Sequence, residues 1–393
     1  MKNNTIPDGY VNNHIHTVYS FSPYSPAEAI EMARAQGLVT AGIMDHDTVA
    51  GVNEFLEAGR LSGIAATAGF ECRCLMKDTP FGDLRLNNPD QDGISYVACH
   101  GIPRQNLDTA DLWLAPYREK RNIRNRAMVK RINELLKYDG LFLDFDTDVL
   151  PLTMHRQGGT VTERHLLYAL ALKIMDVCDN DQTPELLKNR FGIAVSDKDR
   201  ERFSDADKKS LAYSLLGILK GNFVESFYID AGDECPSIFE FVKFVSGIGA
   251  IAAYAYLGDV VNSVTGDKRA QSFEDSYLDE LIGWLAENGF HSVTYMPTRN
   301  TPAQLQRIIG LCEKHDLFQI SGEDINSPNQ SFICEALKYP EYRHLIESTW
   351  ALIGHEKAAT DNIEEGMFRP KTIGSWPGLH ERIKHFAEIG RKA

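Results

Sequence analysis

Apolar positions in the first hundred residues fall into short runs with two different spacings. Tyr10–Ile15 is a strand-length segment that opens into a loop. Ser25-Pro26-Ala27-Glu28 then reads as a helix start, with serine as N-cap and proline in the first turn. Over Ala27–Gln36 the residues Ala27, Ile30 and Ala33 recur at helical spacing, and Gly37 ends the run. Val39–Met44 is apolar at strand length, and Val52–Ser62 is again helical. Ala65–Ala68 leads into Gly69-Phe70-Glu71. One strand and one helix about every 30 residues is the rhythm of βαβ units, and it predicts a parallel sheet.

The rhythm changes over residues 103–232. Arg118–Lys137 reads as a long basic helix whose charges form a solvated face. Arg164–Val177 reads as an amphipathic helix, and Ser196–Lys209 is charged and polar. Strand-length runs return at Ala250–Tyr256, His291–Tyr295 and Phe318–Ser321. The pattern predicts a barrel-forming unit from residues 1–102 and 233–354 with a helical insertion at 103–232. Residues 355–393 are expected to form a C-terminal helical extension on the outside.

Composition narrows the classes. Of 393 residues, 43% are hydrophobic, so the chain can bury a core, and the formal net charge is −14. That balance disfavours a nucleic-acid partner. It still allows a small anionic molecule, because a bound cation reverses the field locally. Ala250–Leu257, the longest apolar run, falls well short of the roughly 20 residues a membrane helix needs. The polar opening residues contain no apolar signal core. Seven scattered cysteines argue for a reducing compartment rather than a disulfide framework, so a soluble cytoplasmic protein is expected. Cys72 and Cys74 read as buried thiols on one strand face. Cys99 and His100 are adjacent strand residues that point to opposite faces, which disfavours a nucleophile–base pair.

The candidate chemistry lies at strand ends. His14 and His16 are two apart on a strand, so both imidazoles can face one ion. Asp45-His46 closes the second strand, Glu71 follows the third, and Asp324 follows a late one. Mixed imidazole and carboxylate donors suit Mn²⁺, Fe²⁺ or Zn²⁺.

These residues carry a family resemblance. Val11-Asn-Asn-His14-Ile-His16-Thr17 resembles the first motif of the PHP (polymerase and histidinol phosphatase) superfamily. Met44-Asp45-His46-Asp47-Thr48-Val49-Ala50-Gly51 resembles the second. Gly69-Phe-Glu71-Cys72 is similar to the third, and Ser321-Gly-Glu-Asp324-Ile-Asn326 to the last. The basic helix and Arg164-His165-Leu-Leu-Tyr-Ala-Leu resemble the helical insertion of the small-molecule phosphoesterase branch. The resemblance implies a distorted, TIM-like (β/α)7 barrel carrying a divalent metal cluster, whose bound hydroxide attacks a small phosphate ester. Carried over by position, His14, His16, Glu71 and Asp324 hold one ion. His46 belongs to a second, with Glu71 able to bridge. Asp45 and Asp47 would orient imidazoles. His100 is a further donor, and Asn326 a weaker one through its carbonyl oxygen. Arg164 is a candidate phosphate clamp.

The chain departs from the family pattern at three places. Phe21 stands where an aspartate is usual, Asn326 where a histidine is usual, and the Ala-His-Pro motif is replaced by a strand with Tyr254 and Tyr256. Those tyrosines are candidate substrate contacts. One well-supplied ion with a weaker companion is expected. Two other readings stay open: a weakly active or inactive protein of this fold that binds metal and an anion, and a single-metal, amidohydrolase-like enzyme.

Overall fold

The computed structural model describes residues 9–137, 141–196, 200, 203, 207–260, 271–328 and 330–392. Nine strands form two sheets among them. β1 (Tyr10–Ile15), β2 (Leu38–Ile43) and β4 (Ala65–Thr67) make one parallel sheet in the order β1-β2-β4. The other runs β3 (Asp45–His46), β5 (Gly69–Leu75), β6 (Ile94–His100), β7 (Ile251–Ala255), β8 (Ser292–Tyr295), β9 (Phe318–Ser321). Backbone bonds tie the sheets together. Met44 N–H donates to Ile15 O at 2.9 Å, and the segment after β9 pairs with β1 through Ile325 N–H to His14 O at 3.1 Å and His16 N–H to Ile325 O at 3.0 Å.

The helices between the early strands form as their spacing predicts. α1 (Pro26–Ala35) starts in a capping box between Ser25 and Glu28, and buries Pro26, Ala29, Ile30 and Ala33. α2 (Val52–Ser62) buries Val52, Phe55, Leu56 and Gly59, and ends at Gly63, whose φ of 69° suits glycine.

The expected all-parallel order fails at β6, which runs antiparallel to both β5 and β7. A parallel neighbour needs a crossover, usually a helix. Residues 76–93 contain no helix. That loop folds back on the sheet through Asn87, whose side-chain oxygen accepts from Tyr96 N–H at 2.7 Å and whose amide donates to Tyr96 O at 2.8 Å.

Apolar side chains divide into two large clusters. One joins the strands to α1, α2 and the helices Ile238–Gly247, Leu278–Glu287 and Pro302–Lys314. The second holds Phe145, Leu166, Leu170, Leu215 and Phe227 of the insertion together with Phe21. α3 (Leu107–Leu135) serves both, with Leu107, Ala110 and Leu114 in the first cluster and Met128, Val129 and Ile132 in the second. It therefore begins eleven residues before the basic run. α4 (Glu163–Val177) forms close to its expected bounds. Much of the charged stretch 196–209 lies outside the described residues. No described helix is long and apolar enough to cross a membrane.

The boundary expected at 354/355 falls inside a helix, His344–Asp361, and His355 and Glu356 are buried rather than outside. The helix Leu379–Arg391 packs across it. Two glycines face each other at that crossing. A Cβ at Gly354 would collide with the carbonyl oxygen of Phe386, and one at Gly390 with that of Trp350. Gly354→Ala should therefore force the helices apart and destabilise the chain by about 1–3 kcal/mol. Gly374→Ala, whose added methyl would meet nothing within 4 Å, is the matched control. Equal melting temperatures for the two variants would refute this close packing.

Candidate metal centre

The strand pleat puts His14 and His16 on the same side of β1, and the chain after β9 passes directly against them. Gly322 permits this, since a Cβ there would stand 2.6 Å from His14 Cβ and 2.7 Å from His14 N. Two residues later Asp324 reaches the same point. Glu71 Oε1 lies 3.4 Å from His14 Nε2, 3.2 Å from His16 Nε2 and 3.2 Å from His46 Nδ1. Asp324 Oδ1 is 3.2 Å from His16 Nε2. Donor atoms bound to one ion at about 2.0–2.2 Å stand roughly 3.0–3.5 Å apart, so the donors present fit a divalent cation. His14, His16 and Asp324 form one group able to hold an ion, and His16, His46 and Glu71 another.

The loop after β1 fixes one ring. Ser20 Oγ donates to Asp45 Oδ1 at 2.6 Å and lies 3.2 Å from His16 Nδ1. A hydroxyl has one proton. With it given to Asp45, Ser20 must accept from Nδ1–H, which leaves His16 Nε2 as the donor atom facing the cluster. Thr17 N–H and Oγ1–H also donate to Asp45, at 2.7 and 2.6 Å. Asp45 thus orients the imidazole through Ser20, not by direct contact. Asp47 does not orient an imidazole; it pairs with Arg121.

Burial depresses His16, but its hydrogen bonds to Asp324 and Glu71 prevail and raise it to about 10. Burial, opposed by Glu71 and reinforced by His16 and Arg121, drops His46 to about 3. Asp324 is held well below the usual carboxylate range in spite of burial, because His16 stands beside it.

Around these donors opens a cleft lined by Tyr96, Arg121, Glu163, Arg164, Ala255 and Asn326 among others. Arg164 Nη1 donates to Asn326 Oδ1 at 3.0 Å, and Asn326 Nδ2 donates to Asp324 Oδ1 at 2.6 Å. Asn326 therefore gives its oxygen to arginine and not to the histidine cluster. His100 joins neither group. Antiparallel β6 pairs it with Gly69, on the sheet face that carries Glu71, where its Nε2 is buried without a hydrogen-bond partner and within electrostatic reach of His14 and Glu71, while Tyr96 of the same strand lines the cleft. Tyr254 is fully buried on the β7 face opposite Ala253 and Ala255, packed in the core, so it does not contact the cleft. Tyr256 does line it, with its hydroxyl donating to Asp275 at 2.6 Å. Phe21, at φ 97°, turns its ring into the insertion against His165 and Tyr168, with centroids at 5.0 and 5.8 Å.

The basic helix holds what sequence reasoning missed. Arg118, Arg121 and Arg124 face inward while Ile123 is 70% exposed, the reverse of the expected solvated charge face. Arg121 pairs with Asp47, Arg124 with Glu163 and Glu234, and Arg73 of β5 with Glu234 at 2.7 Å. Each buried cation has a carboxylate, as burial requires. The one available signal was the three-residue spacing of those arginines. Cys72 and Cys74 are free, buried and on one strand face as expected, with sulfurs 3.9 Å apart.

No family model matches the chain, and no curated protein matches it in sequence. Solved structures do match in fold. A Bifidobacterium adolescentis protein to which metal-dependent phosphoesterase activity has been ascribed is 21% identical, with 86% of this chain and 96% of that one covered at a TM-score of 0.54. An amidohydrolase from Chromobacterium violaceum, solved with sulfate and no metal, is 16% identical over the same shares, also at 0.54. What the chain shares with both is the fold.

Two outcomes follow for metal uptake. An ion taking His16 Nε2 must displace the proton held there, so between pH 7 and 8 uptake should release close to one proton per ion, and affinity should rise about tenfold per pH unit. Calorimetry in buffers of different ionisation enthalpy measures this, and no proton release would refute the protonated His16. Ser20→Ala frees the ring and should weaken Mn²⁺ binding by about 10–100-fold. Unchanged affinity would show that Ser20 does not set the ring.

Proposed function

We propose that the chain is a metal-dependent hydrolase of a small phosphate ester, built on the distorted (β/α)7 barrel that the resemblance implies. The observation that carries this reading is the convergence of three imidazole nitrogens on Glu71 Oε1 at 3.2–3.4 Å, with Asp324 alongside. His14, His16, His46, Glu71 and Asp324 would hold Mn²⁺, Fe²⁺ or Zn²⁺. A divalent ion supplies Lewis acidity there and lowers the pKa of a water at the phosphorus. The chain's own residues do the rest. Arg164 at the rim offers a planar donor pair that matches phosphate oxygens. Buried Arg121, facing the cleft and anchored on Asp47, adds a fixed positive group. The ion-paired floor of Arg73, Arg124, Glu163 and Glu234 keeps that side of the cleft rigid.

The likeness to an amidohydrolase gives a second reading, amide hydrolysis at a single ion. Guanidinium groups at the cleft favour the phosphate ester.

The deciding experiment is a panel of phosphomonoesters, phosphodiesters and amides assayed with added Mn²⁺, Fe²⁺ or Zn²⁺. Turnover of phosphate esters supports the proposal, and turnover of amides alone favours the second reading. Metal uptake without turnover of any of them leaves a binding protein. His14→Ala and Asp324→Ala should each lose metal and at least about 100-fold in turnover, since both remove a donor. Unchanged turnover in either would sink the assignment.

A further inference from the structure

Both groups of donors able to hold an ion use His16, and His16 has one nitrogen to give, because Nδ1 is committed to Ser20. One ion can thus have three or more protein donors. A second would be left with His46 and Glu71, since His100, the further imidazole on the Glu71 face, joins neither group. The other places where donors were expected have been turned to different uses. Phe21 packs in the insertion, and β7 presents Ala255 to the cleft.

Asn326 is the informative case. It is buried at 8% exposure and sits between two charged groups. Arginine can only donate and a carboxylate can only accept, so the amide orientation is fixed, with oxygen to Arg164 and nitrogen to Asp324. For Asn326 to bind metal it would have to release Arg164. Arg164 is half-buried and makes this bond to a neutral amide, which holds the guanidinium in place without neutralising it. Asp324, at the other end of the bracket, belongs to the metal group. The guanidinium is thereby set at one asparagine's length from the ion's own ligand.

Resting on the phosphate-ester reading, we propose that the centre holds a single ion and that Asn326 is a positioning residue for Arg164, whose guanidinium meets substrate charge that a second ion would otherwise meet. The ligand class is a phosphate group bound between one divalent cation and one arginine.

The test uses the full chain loaded with Mn²⁺ and dialysed. Ions per chain are counted by elemental mass spectrometry, and inorganic phosphate is titrated calorimetrically. One ion per chain is expected in every variant. Arg164→Gln and Asn326→Ala should each weaken phosphate at least about tenfold, the scale of a lost hydrogen bond to a charged group. The double variant should be no more than about twofold weaker than Arg164→Gln, since both changes remove one interaction. Two tightly held ions in the unaltered chain overturn the inference, as do additive losses. Loss of the ion from Asn326→Ala overturns it too, because the asparagine would then act through the metal. An ion count of zero in the unaltered chain instead refutes the hydrolase reading itself. Asn326→Ser replaces Asn326→Ala if the latter does not fold, and the ion count of the unaltered chain needs no variant.

Discussion

Everything at this centre depends on keeping Glu71 charged where water hardly reaches it. A buried carboxylate is costly unless partners compensate it. Here the compensation is three imidazole nitrogens within 3.4 Å of a single oxygen, drawn from two different sheets. Removing that oxygen leaves the imidazoles with no common target, and a cation would draw on one of the two donor groups that share His16. The backbone bonds that tie β1 to the segment after β9, and to Met44 after β2, hold these side chains in register with one another.

Charge balance extends outward from there in alternating order. Arg121, Arg73 and Arg124 lie on one side of the cleft, and Asp47, Glu163 and Glu234 lie among them. Pairing of this kind is not strong evidence of stability, because desolvation offsets much of the attraction. Its effect is geometric. Guanidinium groups locked in forks cannot swing, so the wall facing the metal donors is stiff on the side where a ligand would enter.

The early strands and helices were legible because amphipathic spacing and Ser-Pro helix starts are local signals. The convergence of His14, His16, His46, Glu71 and Asp324 was legible for a related reason, since strand ends and two-residue spacing set their direction. What spacing could not reveal was strand direction. β6 reverses, which pairs His100 with Gly69, leaves it in neither donor group and brings Tyr96 to the cleft. Face choice on β7 was also misjudged for Tyr254, although alternation separates it from Ala253 and Ala255. The largest miss was α3, where buried arginines and an exposed isoleucine invert the usual amphipathic pattern. That inversion is intelligible only once Glu163, Glu234 and Asp47, distant in sequence, are seen to face it.

The turn after β1 has a meaning for how such a chain can change over time. Within two consecutive residues, Ser20 steadies a donor imidazole and Phe21, held at a left-handed backbone angle, plugs the apolar interior of the insertion. Thr160 N–H also bonds to Tyr19 O at 2.8 Å, so the insertion grips this turn from both sides. The insertion is therefore not an interchangeable module. Trimming it, or exchanging it for a cap of another shape, would strand an aromatic ring in water and slacken the serine beside it. Remodelling of ligand preference in this lineage would have to proceed around that joint, by changes at the distal helices, and leave the turn itself alone.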